Sequence, residues 1–387
     1  MPDDASARSA ARARASLIAL HLIASVAVTL QQTVGHAQSN NYRIFRESYF
    51  HLVQGADLYA SYPATQFDLF KYSPSFALLF APFAVLPYSM GLLLWNITNA
   101  LSLCIAMALL LSPRAAASAL AIALLEAIGA MQNNQSNALC AALMIGALVA
   151  LERERTALGA SAIATGAAVK LFPLASGLLG LVSPRRWSHL AWCVVMGSAC
   201  VLLPLLVTSP SALVAQYHSW TAVQRADATK IEMWWLGGVL ERWSGVSVAH
   251  LPLQLAGVTW TMITAWLAKD RWGDAGLRRL LIASLLIFAV AFNHMAEPPT
   301  FVIAFAGIGI WWAALPRERW RDALVLAIVL FGSVTSSDIM PKHIRIEWIV
   351  PYRIKALMTA VAWFAVQGDV LRRLRPAIPS PIVTARP

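Results

Sequence analysis

Apolar runs long enough to cross a bilayer alternate along this chain with short polar stretches. They fall at about 16–34, 88–111, 115–131, 136–151, 187–208, 251–268, 278–293, 298–315, 320–336 and 348–367. A helix needs about 20 apolar residues to span the hydrocarbon core, so the pattern predicts an all-α polytopic membrane protein of roughly ten full spans. Pro and charged residues punctuate the joins, as at Ser112-Pro113-Arg114 and Glu152-Arg153-Glu154-Arg155. A cleaved signal peptide is the competing reading of the first run. Its length and the many spans that follow favour an uncleaved helix.

One apolar stretch breaks the pattern. Residues 157–182 are interrupted by Lys170-Leu171-Phe172-Pro173, and Pro173 gives a physical reason for the break. Two half-helices forming a hairpin, with Lys170 near the turn, would return the chain to the same side. Irregular backbone at that depth is tolerated only where it lines protein or a cavity.

Composition agrees with lipid as the main solvent: 58% of residues are hydrophobic and 13% charged, with a mean hydropathy of +0.61. The net charge of +11 does not signal nucleic acid, because the Lys and Arg sit in small clusters between apolar runs. An inside N-terminus places Arg114, Arg153, Arg155, Arg185, Arg186, Lys269, Arg271, Arg278, Arg279, Arg317, Arg319 and Arg321 inside, with Arg372, Arg373 and Arg375 of the tail. Every inside connection is then short and basic, as the positive-inside rule requires. The expected layout is a basic cytoplasmic tail at 1–15, one membrane domain at 16–367 and a cytoplasmic tail at 368–387. The longer segments 35–87, 209–250 and 336–347 lie outside. The four cysteines fall in apolar runs without His or Cys at metal-ligand spacing, so they read as buried thiols, and neither metal nor cofactor is expected.

Candidate chemistry concentrates in the outer segments. Residues 39–74 open with a short amphipathic helix started by Ser39 or Asn40. Ile44, Phe45, Tyr49 and Leu52 share one face; Asn40, Arg43, Glu47 and His51 share the other. The acids Glu47, Asp57 and Asp68, with Arg43, Arg46 and Lys71, suit an aqueous cavity at the membrane surface. A solvated loop packed on the bundle is the plainer reading. Gln132-Asn133-Asn134-Gln135-Ser136-Asn137 gathers amides at a span junction, where they suit sugar hydroxyls or simply close a turn. His294 and Glu297 sit three apart at another outer junction, either on one helical face or in a turn-closing bond. Lys170 is a lone cation in an apolar stretch, and such residues face a cavity or a partner. It would suit a phosphate carried on a lipid. No GxxxxGK[ST] run or Rossmann glycine fingerprint appears, and no inside loop is large enough for a nucleotide-sugar domain. A group-transfer donor would therefore arrive in the membrane already activated.

Several stretches together resemble the polytopic GT-C glycosyltransferases, specifically glycosyltransferase family 87. They are Gln54-Gly55-Ala56-Asp57-Leu58-Tyr59, Phe70-Lys71-Tyr72-Ser73-Pro74, Phe80-Ala81-Pro82-Phe83, the amide run 132–137, Gly166–Pro173 and Tyr217-His218-Ser219-Trp220. The resemblance covers roughly 15–370 and implies a GT-C-like helical membrane fold whose first outer loop supplies the catalytic acid. It also implies an inverting, metal-independent transfer of a hexose, often mannose, from a polyprenyl-phosphate donor to a lipid or glycan acceptor on the outer face of a bacterial inner membrane. The family pattern places an aspartate at the start of the first outer helix; this chain has Asn40-Asn41 there. The expected roles follow: Asp68 and Asp57, then Glu47, as base candidates; Lys170, Lys71 and Arg43 as phosphate partners. Asn41, Gln132, Asn134, Gln135, Tyr59, His294 and Glu297 would meet sugar. The competing classes are a transporter or flippase for a lipid-linked or polar substrate, and a non-catalytic descendant of the enzyme. A transporter needs a polar path through the midplane; an enzyme needs acid and cation converging at headgroup level.

Overall fold

A computed structural model describes residues 4–34 and 40–375, and these form an all-helical bundle without strands. Among the described residues, five helices are long and apolar enough to cross a membrane: Ser6–Thr33, Tyr88–Leu110, Pro113–Gln132, Arg186–Leu206 and Ile354–Leu374. Other expected spans are shorter helices, among them Asn137–Glu152 and Phe301–Ala314. The first helix begins at Asp4, so it takes in the basic stretch ahead of the first apolar run. The last starts at Ile354 rather than near 348, because Pro351 and a left-handed Arg353 (φ +56°) interrupt the chain just before it.

Phe301–Ala314 is the central helix, packed between Ala275–Ala291 and Pro113–Gln132. Its residues from Phe301 to Trp311 are buried. Gly309 makes the close approach possible, since a Cβ there would lie 2.8 Å from the Ala119 Cα.

The hairpin forms about Lys170. Thr156–Val169 stops where Lys170 turns to extended backbone (φ −147°, ψ 146°), and the short helices Phe172–Ser176 and Gly177–Leu181 lead back. Pro173 has no N–H to continue the ladder. Because the helix stops at Val169, the Ala168 carbonyl accepts instead from Ser73 Oγ at 2.7 Å. Ends of the hairpin meet: Glu154 pairs with Arg185, and Thr156 bonds Ser188 at 3.0 Å. A second proline acts alike at the end of Arg186–Leu202. Pro204 cannot donate to the Cys200 carbonyl, which accepts instead from the Leu203 N–H and from Ser75 Oγ at 2.6 Å.

The arginine-bearing connections gather at one end of the bundle. Arg278 and Arg279 reach Glu152, Arg279 donates to Leu110 O, and Arg373 pairs with Asp274. The segments 40–74, 132–137, 210–235 and 293–300 gather at the other end. Ser39, the alternative start of the first outer helix, lies outside the described residues; the helix runs Asn40–Val53. Its buried side chains Tyr42 and Phe45 pack in an aromatic cluster with Phe76, Phe80 and Trp95, so its apolar face is against the bundle.

Candidate active site

A polar chamber of about 1030 Å³ opens at the end where these segments meet. Lys170 stands at its base. Its ammonium donates to Asn137 Oδ1 at 2.7 Å and Gln135 Oε1 at 3.1 Å. The broken Thr156–Val169 helix presents Lys170, and the turn before Asn137–Glu152 presents both amides. An ammonium has three donors, so one is left for a ligand. Tyr72 completes the surround: its hydroxyl donates to Gln135 Oε1 at 3.4 Å, and its ring lies 5.9 Å from the Lys170 nitrogen.

The chamber also holds a second cation, Lys71. Lys71 pairs with Asp68 at 3.2 Å and Asp227 at 3.3 Å, and Asp227 also pairs with Lys230 at 2.8 Å. Burial acts to lower the Lys71 pKa, but attraction to Asp68 and Asp227 outweighs it and the net shift is upward. Its backbone is fixed as well: Trp220 Nε1 and Gln224 Nε2 donate to the Lys71 carbonyl at 3.1 and 2.7 Å.

One wall of the chamber runs through 293–300. Gln254 Nε2 donates to the Phe292 carbonyl and contacts His294 Nδ1, both at 2.9 Å. His294 stacks on His250 with ring centroids 4.4 Å apart. Burial, then the neighbouring His250, push its pKa down, which favours the neutral ring. The Glu297 N–H donates to Thr300 Oγ1 at 3.3 Å and its carbonyl accepts from the Thr300 N–H at 2.8 Å, and Asn137 Nδ2 donates to Pro299 O at 2.9 Å. His294 and Glu297 therefore share a loop rather than a helical face.

Of the residues singled out by sequence, the chamber brings together Asn41, Asp68, Lys71, Gln135, Lys170, His294 and Glu297. Asn41 Nδ2 donates to Asn133 O at 2.7 Å. The rest do not line it. Asp57 caps its own loop, accepting from the Tyr59 N–H at 3.1 Å and Ser219 Oγ at 3.2 Å. Tyr59 is buried with its hydroxyl on Tyr72 O at 2.8 Å. Glu47 pairs with Arg46, Arg43 is exposed, and Gln132 offers only its carbonyl to Gln32. Asn134 is buried in a left-handed turn (φ +52°), where Gln32 and Trp95 hold it. Tyr72, Asn137, Trp220, Asp227 and Glu232 join the site without having been assigned roles. Tyr72, Asn137 and Trp220 lay within the quoted motifs. Asp227 and Glu232 came from a stretch of mixed charge that gave no signal.

An apolar groove of about 660 Å³ adjoins the chamber, lined by the hairpin and by one face of Arg186–Leu202, including Ile163, Leu178, Leu190 and Val201. Ala167, Leu171, Trp220 and Val258 line both, so groove and chamber meet beside Lys170.

The sequence profile of Glycosyltransferase family 87 matches residues 70–341, more than half of the chain. No curated protein matches. Among solved structures, ArnT from Cupriavidus metallidurans bound to undecaprenyl phosphate is similar, at 14% identity and a TM-score of 0.41. The likeness covers 92% of this chain and 78% of that one.

Proposed function

This chain belongs to glycosyltransferase family 87, and on that premise we propose that it transfers a hexose, mannose in the first instance, from a polyprenyl-phosphate donor to a lipid or glycan hydroxyl. The observation that carries the donor class is Lys170 at the seam between an apolar groove and a polar chamber. A polyprenyl phosphate is a long apolar tail joined to one anionic group, and this surface has both parts in that order. The tail lies in the groove, the phosphate takes the free Lys170 donor, and the sugar points into the chamber toward Asn41, Gln135, His294 and Glu297.

Chemistry at such a site needs cations for the departing phosphate and a carboxylate for the acceptor proton. Lys170 stabilises the leaving group, with Lys71 as a second cation in the chamber; Asp68 is the one base candidate of the first outer segment that lines it. The chamber faces outward, because arginines gather at the opposite end and mark it as cytoplasmic. None of those arginines lines the chamber, which favours an enzyme working at one surface over a path through the bundle.

The test is a panel of polyprenyl-phosphate hexoses incubated with purified protein and bacterial membrane extract, with products read by mass spectrometry. Expected is a product heavier by one hexose and release of the polyprenyl phosphate. No product from any donor overturns the reading; vesicle experiments in which a lipid-linked sugar crosses the bilayer intact would establish the transporter instead.

A further inference from the structure

We propose that Glu297 is the general base that takes the proton from the acceptor hydroxyl; this rests on the donor reading above. Four carboxylates line the chamber: Asp68, Asp227, Glu232 and Glu297. Asp68 and Asp227 are both committed to Lys71. Neither Glu232 nor Glu297 is in an ion pair among the described residues.

Placement separates these two. Glu297 has an extended backbone (φ −109°, ψ 160°), is followed by Pro298 and Pro299, and bonds Thr300 through its backbone N–H and carbonyl. Asn137 joins this segment to the phosphate cation, giving one bond to Pro299 O and accepting one from Lys170. One asparagine thus links the loop that carries Glu297 to the cation. Glu297 and Lys170 line the same chamber without pairing with each other, so both remain available to a ligand between them. Asn41 also faces the chamber, but an amide accepts no proton.

In the step proposed, the acceptor oxygen forms a bond to the anomeric carbon as its proton passes to the Glu297 carboxylate. The bond from that carbon to the phosphate oxygen breaks, and its electron pair leaves with the polyprenyl phosphate beside Lys170.

The experiment uses full-length protein in nanodiscs with undecaprenyl-phosphate mannose, or whichever hexose of the panel above is transferred. Binding of undecaprenyl phosphate and single-turnover transfer are measured for wild type, Glu297→Gln, Glu297→Asp and Glu297→Ala. Expected are unchanged binding and about 10²–10⁴-fold slower transfer by Glu297→Gln, with partial recovery in Glu297→Asp. Azide needs no deprotonation, so it should restore donor turnover by Glu297→Ala as the inverted glycosyl azide, which a merely structural role would not produce. Wild-type transfer matched by Glu297→Gln overturns the assignment and leaves the donor reading standing. If Glu297→Gln loses binding, the Asp and Ala variants decide, and slow transfer that azide does not rescue overturns it. Wild type inert with every donor overturns the donor reading and this assignment with it.

Discussion

Replacing Lys170 by methionine separates the two parts of the proposed donor site. Methionine keeps the length and apolar stem of lysine and removes the charge and three donors. In the free protein two effects oppose each other. The bonds from the ammonium to Asn137 and Gln135 contribute about 1.5–3 kcal/mol each, but removing the ammonium also removes the cost of holding a charge among buried groups. The variant should fold and insert with little change in thermal midpoint. Donor binding is another matter. Removing one member of a desolvated, hydrogen-bonded charge pair costs about 2–5 kcal/mol. The chamber is open to water, which argues for the lower half of that range, or roughly 30- to 300-fold in Kd at about 1.4 kcal/mol per tenfold. The assay titrates nanodisc-embedded protein with undecaprenyl phosphate and, separately, undecaprenol, following tryptophan fluorescence. Wild type should prefer the phosphate by that factor; Lys170→Met should bind both alike through the groove. A variant that keeps the full preference would refute Lys170 as the phosphate partner.

Other outcomes follow from named contacts. Asp57→Asn should leave single-turnover transfer unchanged, because Asp57 only closes its loop against Tyr59 and Ser219. Tyr59→Phe should lower stability by about 1 kcal/mol, read as a thermal shift, through loss of the bond to Tyr72 O. The Lys71 pKa is raised, so its pairings stabilise the fold fully below the ordinary lysine value of about 10.4 and are lost as pH rises through the folded value. The thermal-midpoint difference between wild type and Lys71→Met should therefore hold across neutral pH and shrink only above about pH 10.5. Cysteines placed at 57 and 225 should react with an impermeant maleimide on intact cells; reaction only after permeabilisation would invert the orientation.

Residues whose chemistry conflicts with their surroundings were the readable ones. Lys170 was visible because an ammonium in an apolar run needs a reason, and the break at Pro173 suggested where it would point. The amide run 132–137 was legible as a group but not one residue at a time. Gln135 and Asn137 reach Lys170, whereas Asn134 turns inward to hold Gln32 and Trp95. That division depends on a left-handed backbone at Asn134, which spacing does not reveal. Asp57 and Tyr59 looked available in a polar loop, yet Tyr59 is buried, and Asp57, although exposed, has its carboxylate taken by the Tyr59 N–H and Ser219. Gln216 of the helix Pro210–Asp227 fixes the loop through Ala56 O and the Leu58 N–H. Asp227 became visible only as the partner of Lys71, more than 150 residues away in sequence. Spans were legible in number and order better than in length, because Pro204 and the break before Ile354 shorten or shift helices that hydropathy draws as continuous.

The most direct measurement is a structure of the protein in nanodiscs with undecaprenyl phosphate. The phosphate should lie within hydrogen-bond distance of Lys170 Nζ, with Asn137 and Gln135 still bonded to that ammonium. The tail should run past Leu171 and Trp220 into the groove between the hairpin and Arg186–Leu202. A phosphate bound at Lys71 instead, or a tail that leaves the groove empty, would contradict the assignment of groove and chamber as a lipid-phosphate site.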